Sequence, residues 1–329
     1  MMALISRKQT SALALAGFLL AGSAWGQAWR PDKPVEIVTA SAAGGSNDRV
    51  ARMIQKIMQD GKLVPVSISV INKPGGNQTL SRAYLLAHPG DPHYFDIGNP
   101  TLISNHILGI TQQHFSDFAA IALLINEYTV FTVRAESPLR NAKDLIARLK
   151  ADPESMSFGV SNLGGTNHLT LSMAVKAGGV DPKRLKVVVF KTNAESTTAV
   201  LGGHIQMVAA SMPSVIGQIK AGTVRAIAVG DPQRMSGVMA GVPTLREQGL
   251  DVSLSNWRAI IGPKGMTPVQ VAYWEDVLGR VVASEEWKKE LDAQNWDGRF
   301  LRSREFTQYM EGEYAATKVI LNELGLVKQ

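Results

Sequence analysis

The chain has 329 residues, 45% of them hydrophobic, a formal net charge of +6 and no cysteine. A chain this long buries enough surface to fold without staples, and the missing cysteine excludes disulfides, thiolate metal sites, a cysteine nucleophile and lipid attachment through an N-terminal cysteine. The basic residues are dispersed, without runs or interleaved aromatics, which excludes a nucleic-acid arm and leaves a weak positive field that favours an anionic ligand.

The N-terminus reads as an export leader. Arg7 and Lys8 form a basic region, residues 11–20 an apolar stretch, and Gly26-Gln27-Ala28 a small-x-small cleavage site. The apolar run is shorter than the roughly 20 residues that span a bilayer. Cleavage is expected after Ala28, with Ala24 and Gly26 as other stops, so that the mature chain starts at Trp29 and stays unanchored in the periplasm.

Beyond the leader, strand and helix signals alternate. Residues 35–39 read as a strand and 48–59 as a helix with Val50, Ile54, Ile57 and Met58 on one face. Residues 66–71 follow as a strand, 79–86 as a helix and 95–97 as a short strand. Residues 121–133 read as one extended stretch. A helix is predicted over 141–150, strands over 156–160 and 187–190, and a helix over 194–202 ended by Gly202-Gly203. Strands at 205–210 and 225–229 and helices at 268–282 and 304–324 complete the chain. This βαβα order predicts an α/β fold with sheets covered on both faces, and the length favours two domains. The extended stretches 122–132 and 250–260 are the candidate crossings between them.

Two glycine-rich loops carry the chemistry. Ala43-Gly44-Gly45-Ser46-Asn47-Asp48 follows the first strand, and residues 159–168, ending Gly164-Gly165-Thr166-Asn167-His168, follow the strand at 156–160. Each precedes a helix. Glycine lets backbone approach a ligand closely, and free N–H groups at a helix start attract anions. One loop per domain, at the strand ends that line an open α/β cleft, predicts one anionic small molecule gripped from two sides.

These residues resemble the tripartite tricarboxylate transporter solute-binding proteins, the TctC or Bug receptors. The resemblance rests on collinear motifs. They are Trp29 to Val35, Gly44 to Arg52, Asn72 to Asn77, Gly159 to Leu169, Leu201 to Ile205, Val242 to Leu250, and Trp257 with Gly262 to Pro268. It implies a two-domain periplasmic binding protein fold of type II, with a Venus-flytrap cleft and two crossing strands. The leader would occupy 1–28, domain 1 residues 29–124 plus 251–329, and domain 2 residues 125–250. It also implies a carboxylated ligand (a di- or tricarboxylate, an aromatic acid or an amino acid) delivered to membrane permease subunits by a monomer.

Carried over by motif, Ala43, Gly44, Ser46, Asn47 and Asp48 form a first clamp, and Ser161, Asn162, Gly165, Thr166 and His168 a second. Asp48 has two readings: a cap and loop brace at a helix start, or a contact to an amino group of the ligand. His168 is likewise a packed, hydrogen-bonded residue or a ligand contact. Thr101 follows Asn99-Pro100 at a strand end facing the expected cleft. Asn193 and Glu195 fall where the ligand's distal end would lie, Glu195 also reading as a first-turn helix acid. The sequence departs from the family in lacking proline in 39–43, in Thr192-Asn193-Ala194-Glu195-Ser196 after Lys191, and in the segment 91–96.

Other functions fit less well. Ser161 lacks the Gly-x-Ser-x-Gly elbow of hydrolases, and no acid is placed to orient His168. The six histidines form no spaced metal pattern, so neither cofactor nor metal is expected. A binding protein that presents its ligand to a sensor kinase is the alternative role.

Overall fold

The first described residues, 29–34, lead into a strand. The computed structural model describes residues 29–294 and 296–327, and the leader expected over 1–28 lies outside the described residues. Strand β1 (Val35–Thr39) feeds helix α1 (Ser46–Asp60), then β2 (Ile68–Asn72), α2 (Thr79–Leu86), β3 (Tyr94–Gly98) and α3 (Thr101–Ile107). β4 (Phe118–Asn126) and β5 (Thr129–Arg134) follow, then α4 (Ala142–Ala151), β6 (Ser157–Val160), α5 (Thr166–Ala177), β7 (Lys186–Val189) and α6 (Asn193–Leu201). β8 (Met207–Ser211), α7 (Ile216–Lys220), β9 (Val224–Val229), β10 (Arg258–Pro263), α8 (Pro268–Ala283), α9 (Glu285–Gln294), β11 (Asp297–Arg302) and α10 (Ser303–Glu323) complete it.

The strands form two sheets. One has six strands in the order β11-β4-β10-β3-β1-β2, the other five in the order β7-β6-β8-β5-β9. β1 is parallel to β2 and β3, and β6 is parallel to β7 and β8. Each parallel trio has its middle strand running into a glycine loop, which places both loops at carboxyl strand ends. The remaining pairings, β10 with β3 and β4, β11 with β4, and β5 with β8 and β9, are antiparallel. This is the two-domain α/β architecture expected from the strand–helix alternation.

Amphipathic spacing explains how α1 covers its sheet. Val50, Ala51, Ile54, Ile57 and Met58 are buried against Ile37, Phe95 and Trp274. A separate core forms on the second sheet around Phe131, Phe158, Leu171 and Met207. A seam joins the two layers, because Leu169 of α5 is buried in one cluster with Leu102, Trp257 and Phe306.

Several elements differ from the sequence expectation. The extended stretch 121–133 is two strands, β4 and β5, in different sheets. The chain crosses at Glu127 and Tyr128, and an isolated bridge pairs Tyr128 with Ser255 on the return. α3 was not expected because it is buried almost throughout, so no polar face marks a helical period. β11 is a largely exposed edge strand without apolar alternation, and β10 is buried at every position.

Trp274 ties α8 to the first sheet. It is 1% exposed, its ring lies edge-on to Phe95 at 4.8 Å, and its Nε1–H donates to the Pro92 carbonyl at 2.9 Å. Trp274→Ala is expected to cost about 3–5 kcal/mol, read as a lowered denaturation midpoint in urea. A change below about 1 kcal/mol would show that this contact does not anchor the layer.

Candidate functional site

The two glycine loops have the same backbone. Gly44 and Gly164 lie in the left-handed region at φ 79° and 68°. Gly45 and Gly165 are extended N-caps at φ −73°, ψ 167° and φ −76°, ψ 163°. A Cβ on Gly45 would meet the Ser41 Cβ at 2.9 Å, and at Gly44 and Gly164 the left-handed φ strains any side chain. The first backbone bonds into each helix run from Arg49 N to Gly45 O and from Leu169 N to Gly165 O. The N–H groups of Ser46, Asn47, Thr166 and Asn167 therefore make no hydrogen bond within the described residues.

Both loops open on one cavity of about 880 Å³ between the sheets. Its wall holds ten of the thirteen residues singled out from sequence: Ala43, Gly44, Ser46, Asn47, Thr101, Ser161, Asn162, Gly165, Thr166 and Asn193. The starts of α1, α5 and α6 all reach it. Helix starts carry about half a positive charge each, so their convergence favours an anion without burying a full Lys or Arg charge. Asn47 is buried with no side-chain hydrogen bond among the described residues, and the Thr166 hydroxyl is buried without a partner. Asn167 is already committed, accepting from the Thr129 hydroxyl at 2.9 Å and donating to Asn193 Oδ1 at 3.3 Å. The Thr101 hydroxyl is committed too: it accepts from Arg82 at 2.7 Å and donates to Asn99 Oδ1 at 2.6 Å.

Asp48, His168 and Glu195 do not line the cavity. Each occupies the third position of its helix and accepts the backbone N–H four residues earlier. The pairs are Gly44 N to Asp48 Oδ2 at 2.8 Å, Gly164 N to His168 Nδ1 at 3.0 Å, and Lys191 N to Glu195 Oε2 at 3.0 Å. Asp144 does the same for Arg140 N at the start of α4, away from the cavity. The brace is thus a device of helix starts, and the capping reading describes the geometry of Asp48 and His168.

Burial by itself would raise the Asp48 carboxyl. Hydrogen bonds from Arg52, Asn72 and the Gly44 N–H outweigh it and hold the group below the ordinary carboxylate range. Burial pushes His168 down to about 4, which keeps the imidazole neutral and Nδ1 free to accept. Ser161 and His168 form no nucleophile–base pair: the Ser161 hydroxyl accepts from Asn162 Nδ2 at 3.3 Å, and His168 Nδ1 is taken by Gly164.

The cavity floor was missed from sequence. Arg258, Asn256, Ser211 and Ser214 line it. Arg258 Nη2 donates to Glu127 Oε2 at 2.8 Å, with the two side chains 6% and 1% exposed. Asn256 Nδ2 donates to Glu127 Oε2 at 3.2 Å and to the Ser211 hydroxyl at 3.1 Å, while Trp296 Nε1 donates to Glu127 Oε1 at 3.2 Å. The signal was present as two lone charges, Glu127 and Arg258, inside apolar extended runs, where an unpaired charge would be too costly to bury. Asn77 and Gln78 also reach the cavity, both with left-handed φ, 50° and 75°. Asn77 is held there by reciprocal hydrogen bonds with Asn105. Among the described residues no group of His, Asp or Glu side chains is arranged to hold a metal.

Comparisons with known proteins agree with this architecture. Residues 50–326 match the family described as "Tripartite tricarboxylate transporter family receptor", TctC. A Cupriavidus necator protein, "UPF0065 protein in gbd 5'region", is 26% identical over 299 residues, 91% of this chain and 89% of that one. The crystal structure of a TctC solute binding protein from Polaromonas is 26% identical and covers 89% of this chain and 99% of its own, with a TM-score of 0.69. An R. palustris protein solved with adipate is 21% identical and shares the fold at a TM-score of 0.82, over 90% of this chain and 98% of its own.

The second loop carries a pH dependence of defined sign. The folded chain keeps His168 neutral to about pH 4, whereas the unfolded chain takes up its proton near the ordinary value of 6.5. The stability this residue contributes is therefore complete above pH 6.5 and is lost as pH falls toward 4, by up to about 3 kcal/mol. His168→Asn retains an acceptor that does not titrate. Urea unfolding between pH 4 and 7 should show a loss in the wild type that is reduced in His168→Asn. Parallel curves for the two proteins would refute the role.

Proposed function

This chain belongs to the tripartite tricarboxylate transporter receptor family, and on that premise we propose that it captures a small carboxylated ligand in the cleft and delivers it to a membrane permease. The observation that carries this reading is the pair of matched loops, whose unbonded N–H groups at Ser46, Asn47, Thr166 and Asn167 open on one cavity from two sides. One ligand carboxylate would bridge them. Each oxygen would accept from one helix start, with the Asn47 amide and the Thr166 hydroxyl adding donors. A carboxylate bound this way is held by neutral groups, so its release needs no separation of a buried ion pair.

In this reading the cleft lies between a domain of residues 29–124 with 251–329 and a domain of residues 125–250. The chain crosses at Glu127 and again near Asn256, so closure would be a hinge motion about two short segments. Export to the periplasm follows from the expected leader, with cleavage near Ala28 and a monomeric carrier. The R. palustris relative with adipate bound is consistent with a small carboxylate in this fold. The reading is of binding alone: among the described residues Ser161 has no base beside it, its hydroxyl accepting from Asn162 while His168 Nδ1 is taken by Gly164.

Isothermal titration against a panel of small carboxylates, with the matching methyl esters as controls, tests the proposal. At least one carboxylate should bind while its ester does not. Asn47→Ala and Thr166→Val should each weaken that carboxylate by about 1.5–3 kcal/mol, leaving the melting temperature of the unliganded protein nearly unchanged. Equal affinity for acid and ester, or no effect of either substitution, would remove the loops from the site.

A further inference from the structure

One wall of the cavity holds a chain of hydrogen bonds whose direction is set at its buried end. Arg82 is 1% exposed, and its guanidinium, which can only donate, gives Nη2–H to the Thr101 hydroxyl at 2.7 Å. The Thr101 hydroxyl spends its own hydrogen on Asn99 Oδ1 at 2.6 Å, and the Thr101 backbone N–H donates to the same oxygen at 3.0 Å. Two donors on one atom fix which end of the Asn99 amide is the oxygen. Its Nδ2 is left to face Gln78 and donates to Gln78 Oε1. Gln78 therefore accepts with its oxygen and keeps both Nε2 hydrogens to give. Nε2 has no hydrogen-bond partner among the described residues and is not sealed from solvent. Asn99 and Thr101 are 3% and 4% exposed and both line the cavity, as does Gln78, so an amide bonded to Asn99 lies against that wall. The backbone is forced to put it there. Among the described residues only Lys62, Asn77 and Gln78 have a left-handed φ without being glycine, and the last two are consecutive on the cavity. Such strain persists where surrounding bonds enforce it, and it gathers at ligand sites. Here the bonds of Asn105 to Asn77 and of Asn99 to Gln78 do so.

Resting on the receptor reading above, we propose that Gln78 is a specificity-determining residue that gives an Nε2–H to a second oxygen function of the ligand, apart from the carboxylate held by the two loops. A hydroxyl, an oxo group and a further carboxylate share the required chemistry, an oxygen that accepts. A hydrocarbon at this wall would displace water from the amide and leave its donors unpaired, whereas an oxygen takes the place of that water. A site built to bond a ligand oxygen rejects the analogue that lacks it. Asn99 and Arg82 do not touch the ligand in this scheme. They are positioning residues, which hold the Gln78 amide with its nitrogen free.

The test is titration calorimetry with paired acids, straight chains of four to eight carbons and benzoates, each as the parent acid and with one added hydroxyl, oxo or carboxylate group. In the wild type at least one oxygen-bearing acid should bind about tenfold more tightly than its parent, and the added group with the largest advantage names the ligand class. Gln78→Met keeps the side-chain length but has no N–H, and should bring that pair to within about twofold of one another. Asn99→Asp still accepts from Thr101 but offers no N–H to Gln78. The Gln78 amide should then turn its nitrogen to Asp and its oxygen to the cavity, so the pair should again converge although Gln78 is intact. Binding of the parent acid reports that each variant is folded. A purely structural role would weaken both members of the pair alike and keep their ratio. The proposal is overturned if no oxygen-bearing acid outbinds its parent in the wild type, or if the ratio survives in either variant. Binding of no acid at all would refute the carboxylate-receptor reading, and this proposal with it.

Discussion

Everything in the cleft depends on the unbonded N–H groups at helix starts. An α-helix cannot satisfy its first donors internally, and water or a cap usually does so. Here glycine N-caps contribute no side chain, and the third residue of each helix reaches back past the first two amides to the loop. The loop is pinned, yet the amides of Ser46, Asn47, Thr166 and Asn167 stay available. A serine or aspartate at either N-cap would take one of those donors, and the Gly45 site has no room for it.

The same constraint explains why Asp48 and His168 differ in chemistry but not in role. Both supply one acceptor at the same offset. Asp48 does so as a carboxylate held ionised by Arg52 and Asn72, and His168 as an imidazole held neutral by burial. The first loop is therefore secured by a charge network that reaches to β2. The second is secured by dryness, which makes it the more sensitive of the two to acid.

The crossing segments make the opposite use of charge. Glu127 and Arg258 pair with one another, buried, where the chain changes sheets, and Asn256 links them to Ser211 at the end of β8. Breaking such a pair is expensive, so the network sets one geometry for the two segments about which the domains would turn. Three of its four members also face the cavity, so the cavity wall and the crossing segments share the same groups.

Local signals were enough to read much of this protein from its residues alone. A period of 3.6 marked α1, whose buried and exposed residues fall on opposite faces, and a short apolar run marked β1, which is buried at four of its five positions. The two Gly-Gly loops were legible because only glycine suits their backbone. The residue sequence also named ten positions of the cavity wall, and it left the roles of Asp48 and His168 open. Tertiary structure decided the rest. It showed that 121–133 is two strands in two sheets, that α3 is a helix with no polar face, and that the third residue of each helix is a brace. It also brought together Glu127 and Arg258, which lie far apart in the chain. A side chain's partner across the fold is set by sheet order and packing, and neither leaves a period or spacing in the sequence to be read.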